Sequence, residues 1–109
     1  MNIAALETML AKGTDTPLLR FGLGKTYLDA GNAPQAVLHL HACVENDPGY
    51  SAAWKLLGKA YLLCEDKVAA QTAWTAGIAA AQQHGDKQAE KEMAVFLRKL
   101  QKNGHSNNI

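Results

Sequence analysis

The chain is 109 residues long, and its 11 Lys and Arg nearly balance its 10 Asp and Glu, leaving a formal charge of +1. That length serves one hydrophobic core and not two, and so small a charge gives no whole-chain pull toward nucleic acid or an anionic membrane surface. Ala, Leu, Lys and Gln are plentiful and β-branched residues few, which favours helix over long windows.

From the N-terminus, residues 2–12 are expected to form a short helix with Ile3, Leu6, Met9 and Leu10 on one side, stopped by Gly13. Thr16 suits an N-cap with Pro17 at the first helical position, opening a helix to about residue 30 that Gly31-Asn32 closes. A third helix is expected over 33–46, and Asp47-Pro48-Gly49 makes the turn after it. Two more are placed at 51–64 and 67–84, with Ser51 and the Glu65-Asp66 turn as candidate caps. The last helix, 86–102, starts at Asp86 and carries Ala89, Met93, Phe96, Leu97 and Leu100 on one face. Acids lie early in it and bases late, as the helix dipole favours. Residues 103–109 are polar and read as a flexible tail.

The segment Gly24-Lys25-Thr26 has the letters that close a phosphate-binding loop. Five positions before Gly24 stands Leu19 and not the first glycine, and no strand-like run precedes it, so the nucleotide reading fails. An internal repeat explains the segment better. At an offset of 34 residues, Leu23-Gly24-Lys25-Thr26-Tyr27-Leu28 aligns with Leu57-Gly58-Lys59-Ala60-Tyr61-Leu62, Ala36 with Ala70, and Leu40 with Trp74. In Trp54-x-x-Leu57-Gly58-x-x-Tyr61 the large residues recur three and four apart, one stripe of a helix. A glycine on such a stripe costs about 1 kcal/mol of helix propensity. It makes sense where a second helix comes very close, with the small Ala36 and Ala70 on that helix letting the pair interlock around bulky Leu40 and Trp74.

On these residues the chain resembles the tetratricopeptide repeat family. Trp54, Leu57, Gly58, Tyr61, Ala70 and Trp74 carry the pattern in the second unit, and Leu23, Gly24, Tyr27, Ala36, Leu40 and Pro48 in the first. Arg20 stands where the family usually has tryptophan, and Gln82 replaces the closing proline of unit two, which hints that its second helix runs longer. The resemblance implies an all-α, right-handed superhelix of antiparallel helix hairpins, with about six helices in one domain over 1–102. Its repeat units would be 17–50 and 51–84, and the helix 86–102 would cap the apolar end of the second.

It also implies a binding module that holds a partner peptide on the concave face of the first helices of each unit. The matching positions here are Leu18, Phe21, Lys25 and Leu28, then Lys55, Lys59 and Leu62. Phe21, Leu28 and Leu62 would anchor the peptide. Three lysines on one surface repel one another unless an anion sits between them, which points to an acidic or carboxylate-bearing protein partner. The asparagines of the family's carboxylate clamp are absent, with Phe21, Lys25 and Leu56 at the matching places.

His39 and Cys43 share a helical face and could begin a zinc site, but no third and fourth ligand stands at a matching spacing. Burial of Cys43 as a small hydrophobe is the simpler reading, extended here to Cys64, with His41 exposed. No catalytic constellation is visible, so neither an enzyme nor a cofactor is expected. Two unpaired cysteines and the absence of an uninterrupted apolar leader or membrane-length run lead to a cytoplasmic expectation, without membrane or nucleic-acid partners. Self-association into a homodimer or assembly is the alternative function.

Overall fold

The computed structural model describes residues 2–106, with side chains described to residue 102. Six helices follow one another: α1 (Ile3–Ala11), α2 (Pro17–Asp29), α3 (Ala33–Asn46), α4 (Ser51–Leu63), α5 (Lys67–His84) and α6 (Lys87–Ser106). There is no strand among the described residues. The expected boundaries hold within a residue or so at each end but one. Helix α6 continues to Ser106, four residues past 102, and residues 107–109 of the expected tail lie outside the described residues.

The helix starts obey local chemistry. Side-chain oxygens of Asn2, Thr16, Asn32, Asp66 and Asp86 each accept the backbone N–H three residues on, satisfying one of the donors that a helix start leaves open. Helix α4 is the exception. Tyr50 stands at its cap position without a side-chain bond, and Ser51, expected as a cap, is instead the first helical residue. The buried Ser51 hydroxyl donates to Asp86 Oδ2 at 2.7 Å, so it fastens α4 to the start of α6. Gly31 and Gly85 close α2 and α5 with φ of +81° and +70°, values a Cβ would disfavour.

Packing follows the repeat. Helices α2 with α3 and α4 with α5 form the two hairpins, α3 packs on α4, and α6 lies against α5 and α4. Each hairpin closes on its glycine. A Cβ on Gly24 would land inside the Leu40 side chain, and one on Gly58 inside the Trp74 indole. Leu40 and Trp74 are almost wholly buried as a result. Burying such a side chain is worth about 1.5–3 kcal/mol, which outweighs the helix-propensity cost of the glycine. The indole N–H of Trp74 also donates across the notch to the carbonyl of Lys55 at 3.0 Å.

Gly77 repeats the device one step on, with Met93 of α6 and the Cβ of Trp54 over it. Met93 and Ala89 join Ala70, Trp74 and Ala81 in one buried cluster. Ala36, Leu40, Cys43, Val44, Ala53, Leu57, Ala60 and Ala73 form the other. Among the described residues no helix is long and apolar enough to cross a membrane.

Candidate functional site

Helix α1 contributes no buried residue. It rests on α2 without filling the space beside it, and an open groove of about 1120 Å³ runs between the two helices. Ile3, Leu6 and Met9 form the α1 wall, and Leu18, Leu19 and Phe21 the α2 wall. Lys25, Thr26 and Asp29 set polar groups along one margin. Leu18 is 71% exposed, unusual for a leucine on a helix next to a core. Neither Lys25 nor Asp29 has an ion-pair partner among the described residues.

Of the seven residues expected to face a peptide, the groove gathers Leu18, Phe21 and Lys25. Phe21 is half-buried and stacks on Tyr50, ring centroids 5.0 Å apart. Leu28 is half-buried and packs toward the first core cluster, outside the groove. Leu62 is 39% exposed near the end of α4 and also lies outside it. The remaining two lysines are engaged by α6. Lys55 Nζ sits 3.4 Å from Glu92 Oε1, and Lys59 Nζ stands 4.8 Å over the ring centre of Phe96. The anion that three neighbouring lysines call for is thus supplied in part by the chain itself.

Arg20, at the place of the usual tryptophan, organises a polar joint beneath α1. Its guanidinium is held by Asp15 at 2.8 and 3.0 Å, and a third nitrogen lies 3.1 Å from His39 Nδ1. Those bonds to Arg20 hold the Asp15 carboxyl below its usual range. His39 is 2% exposed and lies parallel to Tyr27, centroids 5.5 Å apart. Its Nε2 is 3.2 Å from Glu7 Oε1 of α1, an ion-pair distance without hydrogen-bond alignment. Glu7 also accepts from the Tyr27 hydroxyl at 3.3 Å. Burial pushes the Tyr27 phenol up, and the nearby Glu7 carboxylate adds to this.

Sequence reasoning noticed His39 only as a metal candidate and missed this role. The available signal was Arg20 itself, a cation in a position that faces the next helix and so needs a partner there.

Other candidates resolve simply. No group of three or more His, Cys, Asp or Glu that could hold a metal ion exists among the described residues. Cys43 is buried, and burial pushes its thiol up to about 11. Its Sγ–H donates to the Pro17 carbonyl at 3.3 Å. Cys64 is exposed, contrary to expectation, because it falls at the C-cap of α4 where the chain turns outward. His41 is exposed as expected and pairs with Glu45 at 2.9 Å.

No family model matches the sequence. Comparison with known proteins finds a TPR repeat-containing protein of Pseudomonas aeruginosa, PA0015, 65% identical over 100 residues, which span 92% of this chain and 95% of that one. Among solved structures, protein BPP2914 from Bordetella parapertussis is 48% identical with a TM-score of 0.81, covering 94% of this chain and 90% of that one. A tetratricopeptide repeat domain protein from Salinibacter ruber is 26% identical with a TM-score of 0.75, covering 80% and 97%.

Proposed function

The chain belongs to the tetratricopeptide repeat family, and from that premise we propose that it binds a partner protein through the groove between α1 and α2 and the adjoining α4 surface. The observation that carries this reading is the open apolar groove with Leu18 standing out of it, a face that stays wet unless something covers it. Leu18 and Phe21 are the anchors and Lys25 the polar contact, matched by a carboxylate on the partner. Leu28 and Leu62 extend the apolar surface. Lys55 and Lys59, already engaged by α6, shape its far end and contribute less charge.

Binding is then a matter of surface complementarity, with no chemistry of the module's own. The test is to isolate partners by affinity capture and titrate the one identified against purified variants. Leu18→Glu should weaken binding at least tenfold and Lys25→Glu severalfold, with a flatter salt dependence for the latter. Leu38→Glu, on an exposed residue of α3 outside the groove, should bind as the parent does. Equal binding by all three would remove the groove from the site.

A further inference from the structure

The 34-residue offset relates two places in the array that are filled differently. In the first unit the His39 ring lies against Tyr27, with 2° between the planes and 5.5 Å between centroids. Arg20 meets one ring nitrogen, and Glu7 of the preceding helix stands beyond the other. In the second unit Tyr61 takes the place of Tyr27, Trp54 that of Arg20, and Ala73 that of His39. With a methyl where the first unit has an imidazole, a pocket of about 320 Å³ is left between α3, α4 and α5. Trp54 and Tyr61 line it from α4, and Ala73 from α5.

Helix α3 brings a carboxylate to this pocket. His41 stands at the place of Glu7, and Glu45, one turn on, lies with Oε1 2.9 Å from its Nδ1. A carboxylate offers about four acceptor sites, so His41 leaves most of Glu45 open to a ligand. Asp66 adds charge of the same sign: burial, and then the Asp66 carboxylate, push the Tyr61 phenol up. No Lys or Arg lines the pocket. Among the described residues no ring or cation stacks on Tyr61.

We propose that this pocket takes the guanidinium of an arginine presented by a partner protein, laid flat on Tyr61 and paired with Glu45. The first unit shows the shape that fits, a flat nitrogen-bearing group parallel to the tyrosine. Guanidinium is the flat cation among side chains and stacks on aromatic faces, whereas an ammonium is a compact point charge. The carboxylate and the two aromatic residues favour a cation over an anion or a neutral ring. A free amino acid fits less well, because no cation of the pocket would meet its α-carboxylate. The assignment keeps the reading of the chain as a protein-binding module. It does not rest on the groove beside α1, with which the pocket shares no residue.

The experiment titrates acetyl-arginine-amide into the intact chain at pH ~7.5, above the histidine range, and follows side-chain NMR signals. The Trp54 indole and Tyr61 ring signals should shift and saturate in the millimolar range, as for a ligand of one side chain, while those of Trp74 and Met93 hold. Acetyl-citrulline-amide, flat but uncharged, and acetyl-lysine-amide, charged but not flat, should each bind at least about threefold more weakly. Glu45→Gln should weaken the arginine probe about two- to fivefold. Ala73→His, which supplies the ring that the first unit has, should abolish its binding, and Leu18→Glu should bind it as the parent does. No saturable shift, equal binding of either control probe, or unchanged binding by Glu45→Gln would each overturn the proposal. Free arginine binding more than about tenfold tighter than the blocked amide would overturn the assignment to a partner's side chain. Should Ala73→His not fold, the probe series on the parent chain and Glu45→Gln still decide. Because Leu18→Glu tests the groove and not this pocket, failure of one site is distinguishable from failure of the other.

Discussion

The two ends of the array are covered in different ways. At the C-terminal end α6 spans 20 residues and sends Met93 into the notch over Gly77. Asp86 caps it, and Glu92 and Phe96 receive the lysines of α4. At the N-terminal end α1 spans nine residues, and Glu7 makes its polar contacts with α2 and α3. The difference teaches that a helix seals a repeat only where a side chain has somewhere to go. Helix α1 buries no residue, and the groove beside it stays open. A repeat array needs a polar outer face at its ends; α6 provides one, and α1 leaves apolar surface over.

The largest expected effect tests that contrast directly. Met93→Ala should lower unfolding stability in urea by about 2–5 kcal/mol, as for other fully buried large-to-small changes. Leu6→Ala, on half-exposed α1, should cost about 1 kcal/mol or less. Similar costs for the two would mean that α1 is as integral as α6.

Next come the notches themselves. Gly58→Ala drives a methyl into the rigid Trp74 indole and should be net destabilising by about 1–2 kcal/mol, since overpacking exceeds the gain in helix propensity. Gly24→Ala meets the more adaptable Leu40 and should cost less, which would place the softer hairpin at the open end.

The smallest effect is an acid limb at the sealed end. Bonds from the Ser51 hydroxyl and then the Ala89 N–H hold the Asp86 carboxyl below 3.8. A depressed carboxyl stabilises the fold above its unfolded value and loses that contribution as the pH falls through the folded one. Asp86→Asn should therefore flatten the stability profile below pH ~4, and an unchanged profile would discount the Ser51–Asp86 clasp.

Much of this architecture was legible because its causes are local or periodic. Thr16-Pro17, Asp66 and Asp86 announce helix starts within a turn, and the glycine stripe at a 34-residue offset announces the hairpins. The assignments that slipped depend on distant partners. Ser51 looked like a cap because the sequence holds no sign that Asp86, 35 residues on, would take its hydroxyl. Lys55 and Lys59 looked free because Glu92 and Phe96 lie in a helix that does not follow the repeat pattern. His39 shared a face with Cys43 in the sequence, but its ring is claimed by three groups from α1 and α2.

The bond from the Trp74 indole to the Lys55 carbonyl has a consequence for how the second hairpin meets α6. Apolar contact alone resists separation but lets one cylinder roll on another. A directional tether to a main-chain oxygen fixes the azimuth of α4 as well, and so aims Lys55 and Lys59 at α6. Trp74→Phe would keep most of the filling and discard the aim, leaving a hairpin of nearly the same bulk whose lysines swing off their partners.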